Sequence, residues 1–247
     1  MSRKSRLDTA LVSKGLFSSR ERAQRAIMAG NIRVDDRVST KASLLVEPTA
    51  IIEVEPSPQY VGRGGLKLAS ALDHFAINVT GQNALDIGAS TGGFTDCLLQ
   101  RGVVKVYAID VGHGQLAWKI RSDPRVVVRE KLNARFLSRA DVPEAVNICV
   151  VDVSFISLTL ILPNVIDLIT ANGVILALIK PQFELERAEV PRGGVVRDSS
   201  LHEKATRKIH NFMADELQLS VEGIVPSVIT GADGNQEFFI CTRKRSA

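Results

Sequence analysis

Asp86-Ile87-Gly88-Ala89-Ser90-Thr91-Gly92-Gly93-Phe94 puts an acid, three glycines and two hydroxyls into one bend. Ala84, Leu85 and Ile87 read as a buried parallel strand leading into it, and helical spacing restarts at Phe94. Strand, glycine bend and helix in that order make a nucleotide cradle. Glycine lets backbone approach a ligand closely, and a helix start offers free N–H donors. The dinucleotide fingerprint is G-x-G-x-x-G, whereas here Ser90 interrupts it to give G-x-x-x-G-G, which fits a pyrophosphate poorly. Asp110, about 20 residues further on, stands where an acid can hold ribose hydroxyls, a trait shared with NAD-linked enzymes. The plain alternative is an ordinary βα turn, where glycine is common too.

The elements that must position these groups follow from the apolar runs. Strands are expected at Val104–Ile109, Val126–Val128, Asn147–Val151 and Gly173–Ile179, all apolar throughout, as a sheet covered on both faces requires. Asp86, Asp110, Asp152 and Lys180 fall at carboxyl ends, where ligands of such sheets sit. Asn133 follows the third strand, where an adenine would lie. Lys67 lies in a helix after the glycine-rich lead-in Val61–Gly65, and Glu237 opens the last strand. Taken alone, each of these charged residues is equally a structural ion pair or a solvated surface group. Trp118 and Ile120 are expected on a short helix, with Trp118 in the core. The polar stretch Glu184–Asp198 reads as a mobile loop over the site. A charged amphipathic helix over 199–217 and two closing strands follow, the last antiparallel.

Charge is uneven. Residues 1–41 hold ten Lys and Arg against four Asp and Glu, or +6, so with a chain total of +4 the remainder carries about −2. A basic end on a near-neutral body suits a polyanion, although a solvated basic face gives the same count. Ser18-Ser19-Arg20-Glu21 is a capping box, with glutamate three residues after Ser18. The helix it starts closes at Gly30, and Asn31–Val38 reads as a hairpin turning at Asp35-Asp36. Glu55-Pro56-Ser57-Pro58 is a proline-punctuated linker. Cys97, Cys149 and Cys241 lie in apolar runs with no metal spacing, as reduced core residues of a cytoplasmic protein would. No metal and no membrane association are expected. No apolar run approaches the roughly 20 residues that span a bilayer.

The run Ser19-Arg20, Ala23, Ile27, Gly30, Ile32, Val34, Val38, Lys41 resembles the S-four-type RNA-binding domain. The bend resembles the D-x-G-x-x-x-G turn of Rossmann-like S-adenosylmethionine methyltransferases. Together with Tyr60–Leu68, Asp110–Leu116, Asp152–Leu158, Lys180-Pro181-Gln182-Phe183 and Gly234–Phe238, these motifs resemble the TlyA family along essentially the whole chain. Members of that family carry both the name haemolysin A and the name ribosomal RNA 2′-O-methyltransferase.

The resemblance implies an α/β, Rossmann-like methyltransferase with a mostly parallel seven-stranded sheet, preceded by a small α+β RNA-binding domain. The expected bounds are 1–55 for the RNA-binding domain, 56–62 for the linker and 63–247 for an FtsJ-like methyltransferase domain. It implies S-adenosylmethionine as cofactor, held by Asp86, Gly88, Ala89, Ser90, Thr91, Gly92, Gly93, Phe94, Asp110 and Asn133. It implies a catalytic tetrad of Lys67, Asp152, Lys180 and Glu237, a ribosomal RNA or subunit partner, and a cytidine target. Arg3, Arg6, Arg20, Arg22, Arg25 and Lys41, with Arg63 at the entrance, are the expected RNA contacts.

The tetrad makes chemical sense. A ribose hydroxyl is a poor nucleophile at neutral pH, and a free lysine, with a pKa near 10.4, is charged and no base. A neighbouring cation and partial burial favour the neutral amine, whereas a carboxylate opposes it. Lys180 is the expected group to take or steer the proton, Asp152 to orient it, Lys67 to stabilise the alkoxide and Glu237 to fix one lysine. A base methyltransferase is the nearest rival, but Asp152-Val153-Ser154-Phe155 has no prolines and no cysteine stands at a strand end. A haemolysin-type cytolysin is disfavoured by the short apolar runs, and an NAD-linked oxidoreductase by the glycine spacing. An inert RNA-binding protein would need a broken tetrad, and all four members are present.

Overall fold

The computed structural model describes residues 4–56 and 58–245. It divides between Pro58 and Gln59 into two compact units.

The first unit runs β1 (Ser5–Arg6), α1 (Leu7–Ser13), α2 (Arg20–Met28), β2 (Ile32–Val34), β3 (Arg37–Val38), β4 (Leu45–Val46) and β5 (Ile52–Val54). Leu7 and Leu11 of α1 and Ala23 and Ile27 of α2 lie four residues apart, so each pair faces inward. They bury against Ile32, Val46 and Ala50. β1 pairs with β4, and β3-β2-β5 form a second small sheet. Asp35 and Asp36 both take positive φ, at 47° and 64°, as the tight turn between β2 and β3 requires. The cap of α2 is Ser19 and not Ser18. Ser19 is extended and its hydroxyl accepts from the Arg22 N–H at 3.3 Å, while the Ser18 hydroxyl accepts from the Arg22 guanidinium.

The second unit runs α3 (Gly64–His74), β6 (Asn83–Ile87), α4 (Gly93–Gln100), β7 (Lys105–Ile109), α5 (Trp118–Arg121), β8 (Val126–Arg129), β9 (Val146–Val151), α6 (Leu162–Ile166), β10 (Ile169–Ile179), α7 (Pro181–Glu184), α8 (Ser199–Asn211), β11 (Ser220–Pro226) and β12 (Phe238–Arg243). The seven strands lie in the order β11-β12-β10-β9-β6-β7-β8, parallel except for β12, which is antiparallel to both neighbours. Alternation along each strand sends Ala84, Val106, Ile148 and Leu176 to one face with α3, α4 and α5. It sends Leu85, Tyr107, Cys149 and Ile175 to the other with α6 and α8. The chain leaves β6 outward through β7 and β8, then returns to place β9 on its other side. The crevice beyond β6 and β9 is therefore the switch point where ligands of such sheets bind. All three cysteines are buried and free.

Three further expectations are corrected. Trp118 is 78% exposed: α5 spans only four residues, and Ile120, two positions on, takes the buried face. The segment after Glu184 does not hang free throughout. Val196 is buried, its N–H donates to Asn235 Oδ1 at 2.9 Å, and the Asn235 amide donates to the Gly194 carbonyl at 2.9 Å. The helix over 199–217 is α-helical only to Asn211, then widens into a π-type turn, Phe212–Glu216, with Met213 buried.

Candidate active site

Sheet register assembles the charged residues. Asp152 follows β9, Lys180 follows β10 and Glu237 precedes β12, and these three strands are neighbours. Ile179 pairs with Phe238, so Lys180 and Glu237 come next on adjoining strands running in opposite directions. Lys67 joins from α3. Its ammonium forms an ion pair with Glu237 Oε2, and both side chains are almost fully buried. Gly64, one turn before Lys67 and on the same face of α3, lies close enough that a Cβ there would be 4.0 Å from Asp152 Oδ2.

Lys180 Nζ stands 2.6 Å from Asp152 Oδ1. The two form an ion pair, and the ammonium donates to Ser154 Oγ at 3.0 Å. Two cation–carboxylate pairs thus stand at the strand ends, with lysines about equally buried and Asp152 more exposed than Glu237.

The bend lies beside them. Gly88 (φ +85°) runs so close to β9 that a Cβ would overlap the Asp152 carbonyl group, 2.8 Å from its carbon. A cavity of about 500 Å³ is lined by Gly88, Ser90, Asp110, Asn133, Asp152 and Phe155, among others. A second, of about 130 Å³, is lined by Gly64, Ala89, Thr91, Gly93 and Phe94 and shares Gly88, Ser90 and Asp152 with the first. Asp110 Oδ1 accepts from the Gly112 N–H at 2.6 Å and Oδ2 from the Ser90 N–H at 2.7 Å, which fixes the carboxylate while leaving lone pairs toward the cavity. Asn133 Oδ1 caps the short turn after it by accepting from the Arg135 N–H, so its amide donors are what it can offer.

Asp86 and Gly92 line neither cavity. Gly92, at φ +96°, starts α4 and packs against Leu116 and Ile120. Asp86 is fully buried behind the bend. One oxygen accepts from Thr95 Oγ1 at 2.6 Å and the other has no partner, and burial pushes its carboxyl up to about 7.

Phe155 escaped the sequence reading. It lies three residues after Asp152, takes φ +63° and is 90% exposed, with its ring 5.0 Å from that of Phe183. Arg135 and Arg187 line the recess beside this pair. The only hint in the sequence was an aromatic residue in each of the two segments that follow the strand ends.

Of the expected RNA contacts, Arg3 lies outside the described residues. Arg6 and Arg20 converge on Asp8, which is fully buried. Arg6 Nε and a terminal guanidinium nitrogen each donate at 3.1 Å, Arg20 donates at 3.0 Å and Gln24 at 2.8 Å. The Arg6 guanidinium beside it holds the Asp8 carboxyl well below the usual carboxylate range. Arg22, Arg25, Lys41 and Arg63 are exposed. Among the described residues no cluster of His, Cys, Asp or Glu could hold a metal ion, and no helix is long and apolar enough to cross a membrane.

Comparison with known proteins agrees with this geometry. The family model for FtsJ-like methyltransferase matches residues 60–244 and that for the S4 domain matches residues 5–52. The chain is 42% identical to the 16S/23S rRNA (cytidine-2′-O)-methyltransferase TlyA of Mycobacterium tuberculosis, over 100% of this chain and 92% of that protein. It is also 42% identical to Hemolysin A of Brachyspira hyodysenteriae, over 94% of this chain and 97% of that protein. A solved structure from Streptococcus thermophilus, provisionally named a hemolysin, superposes with a TM-score of 0.75 at 39% identity, covering 100% of this chain and 90% of that one. An FtsJ-like sheet, an S4 module ahead of it and this likeness from end to end make the chain a member of the TlyA family.

Proposed function

We propose that this chain transfers a methyl group from S-adenosylmethionine to the 2′-hydroxyl of a cytidine ribose in structured ribosomal RNA. The observation that carries the reading is the register-built edge where Asp152, Lys180 and Glu237 stand at the ends of three neighbouring strands and Lys67 closes onto Glu237. The cytidine preference rests on likeness to the M. tuberculosis relative, named a cytidine-2′-O-methyltransferase.

The cavity residues fit the cofactor. About 500 Å³ falls within the ordinary range for a ligand of that size. Asp110 would take ribose hydroxyls, Asn133 would offer amide donors to the adenine, and Gly88, Ala89, Ser90, Thr91 and Gly93 would bring backbone close to the amino-acid end. Asp86 and Gly92 act behind the bend, holding its shape, and Phe94 lines the smaller cavity beside it. When bound, the cofactor supplies an electrophilic methyl group on a sulfonium.

The protein's own residues supply position and proton handling. Lys180 takes or steers the hydroxyl proton, with Asp152 and Ser154 orienting its head group. Lys67, fixed by Glu237, brings positive charge toward the oxygen as it becomes negative. Orienting the hydroxyl for in-line attack is worth up to about 7–11 kcal/mol of the barrier. Phe155 with Phe183 offers a stacking face for an unpaired base, and Arg135 and Arg187 offer it phosphate contacts. Arg6, Arg20, Arg22, Arg25 and Lys41 hold the RNA backbone through the S4 module, with Arg63 serving the methyltransferase unit.

Methyl transfer to ribosomal RNA is measured for the native protein and for Lys180→Ala and Asp152→Ala variants. Each variant should lose about 10²–10⁴-fold in turnover, with cofactor affinity retained in Lys180→Ala. Near-native turnover in both would rule out this assignment.

A further inference from the structure

Glu184 is a buried acid that the chemistry above leaves unused. It ends α7, the single turn that starts directly after Lys180, and is 4% exposed. Its Oε2 accepts from Ser157 Oγ at 2.5 Å and its Oε1 from the Leu158 N–H at 2.8 Å. Lys208, reaching from α8, donates to the Glu184 carbonyl oxygen at 2.6 Å and to Oε2 at 3.3 Å. Every partner is a donor, so the arrangement calls for a carboxylate.

What these bonds join matters more than their number. Ser157 and Leu158 belong to the segment that leaves Asp152, and Glu184 belongs to the segment that leaves Lys180. The same two segments meet at the Lys180–Asp152 pair and at the Phe155–Phe183 ring contact. Of these three ties, the one at Glu184 is the most buried. Asp152 lines the cavity with its side chain 22% exposed, and Phe155 is exposed. Phe155 also takes a backbone conformation, φ +63°, that L-residues other than Asn and Asp rarely adopt. Such a conformation persists only where its surroundings hold it. The hydroxyl and N–H that Glu184 grips follow Phe155 by two and three residues.

We propose that Glu184 is a positioning residue, clamping the two strand-end segments together so that Lys180 stays beside Asp152 and Phe155 projects at the mouth of the cavity. This rests on the reading of Lys180 and Asp152 as the catalytic pair. The clamp itself does not depend on what reaction the pair performs.

The test uses the full chain and two variants, Glu184→Gln and Ser157→Ala. Hydrogen exchange over 153–160, cofactor affinity by calorimetry, and kcat and KM for ribosomal RNA are compared with the native protein. Glu184→Gln should raise exchange at Leu158 by about tenfold or more, as expected when a buried charge-assisted bond is weakened. It should lower kcat/KM by roughly 10- to 100-fold, the effect of an ångström of misplacement, with cofactor affinity within about twofold. Ser157→Ala removes one bond and should act in the same sense more weakly, which keeps the test open if Glu184→Gln fails to fold. Unchanged exchange in both variants would overturn the clamp. Raised exchange with native turnover per folded molecule would overturn the positioning role. If the native protein itself transfers no methyl group to ribose, the catalytic reading fails, and the exchange data still judge the clamp.

Discussion

The S4 module and the methyltransferase unit each gather cations around carboxylates, but with different side chains and burial. In the module one buried acid, Asp8, holds two arginines whose side chains remain about half exposed, at 46% and 55%. At the sheet edge the cations are lysines, with side chains only 10% and 11% exposed. An arginine does not give up its proton, and its fork suits phosphate. A lysine ammonium is compact and can be drawn into proton transfer when sheltered from water. The first arrangement presents fixed charge outward and suits holding RNA. The second encloses exchangeable protons and suits chemistry.

The sharpest way to break this contrast is to swap the cations. Lys180→Arg keeps the charge beside Asp152 and removes the amine. Turnover should fall by about 10²–10⁴-fold, whereas Arg20→Lys should cost RNA affinity only a few-fold and leave turnover at saturating RNA unchanged. A Lys180→Arg enzyme with near-native kcat would mean that Lys180 acts through charge alone.

Next in size is Glu237→Gln. It leaves Lys67 without its carboxylate in a nearly dry site, and thermal or denaturant unfolding should register a loss of about 3–5 kcal/mol, the usual consequence of breaking a buried pair. A loss no larger than that of an exposed ion pair would show the site to be wetter than its burial indicates.

Asp86 sharpens the comparison from the other side, because its acid is buried without a cation. Burial lifts its carboxyl to about 7 in the folded chain, above the usual value. Its contribution to stability is therefore fully present below the unfolded pKa and is lost as pH rises through about 7. Asp86→Asn, which can still accept from Thr95, should melt higher than the native protein at pH 8.5, with the gap narrowing by pH 5. Equal gaps at both pH values would contradict this.

The smallest expected effect is the most diagnostic in sign. Asp8→Asn removes a negative charge from a surface proposed to bind RNA, so long-range attraction alone would tighten binding. If Asp8 instead aims Arg6 and Arg20, affinity should fall by roughly tenfold, about one charge-assisted contact. Filter binding across a salt series distinguishes the two.

Much of this architecture was legible in the residue order. Uninterrupted apolar runs located the strands, and most of those runs ended on an acid or a lysine. The glycine bend declared itself by spacing, and motif likeness singled out Lys67 and Glu237. Asp152 was expected to orient Lys180, and the two do pair, but which lysine Glu237 would fix was not legible. Pairing follows from strand order: the antiparallel sense of the last strand was expected, but its insertion between β11 and β10 is a long-range event that no local pattern encodes. Trp118 misled because burial was read from residue type, whereas a four-residue helix buries only one side and Ile120 claims it. Phe155 was missed because nothing in a Val-Ser-Phe-Ile run signals a positive φ. That conformation is rare for such a residue and persists only where its surroundings hold it. The Ser18 and Ser19 hydroxyls compete for one helix start, and backbone angle, not spacing, decides between them.

The most direct test of the central claim is mass mapping of ribosomal RNA incubated with S-adenosylmethionine and either the native protein or Lys180→Ala. The account predicts one added methyl group on the ribose of a cytidine with the native protein and none with the variant. A methyl group on a base, or an equal yield of ribose methylation from both proteins, would contradict it.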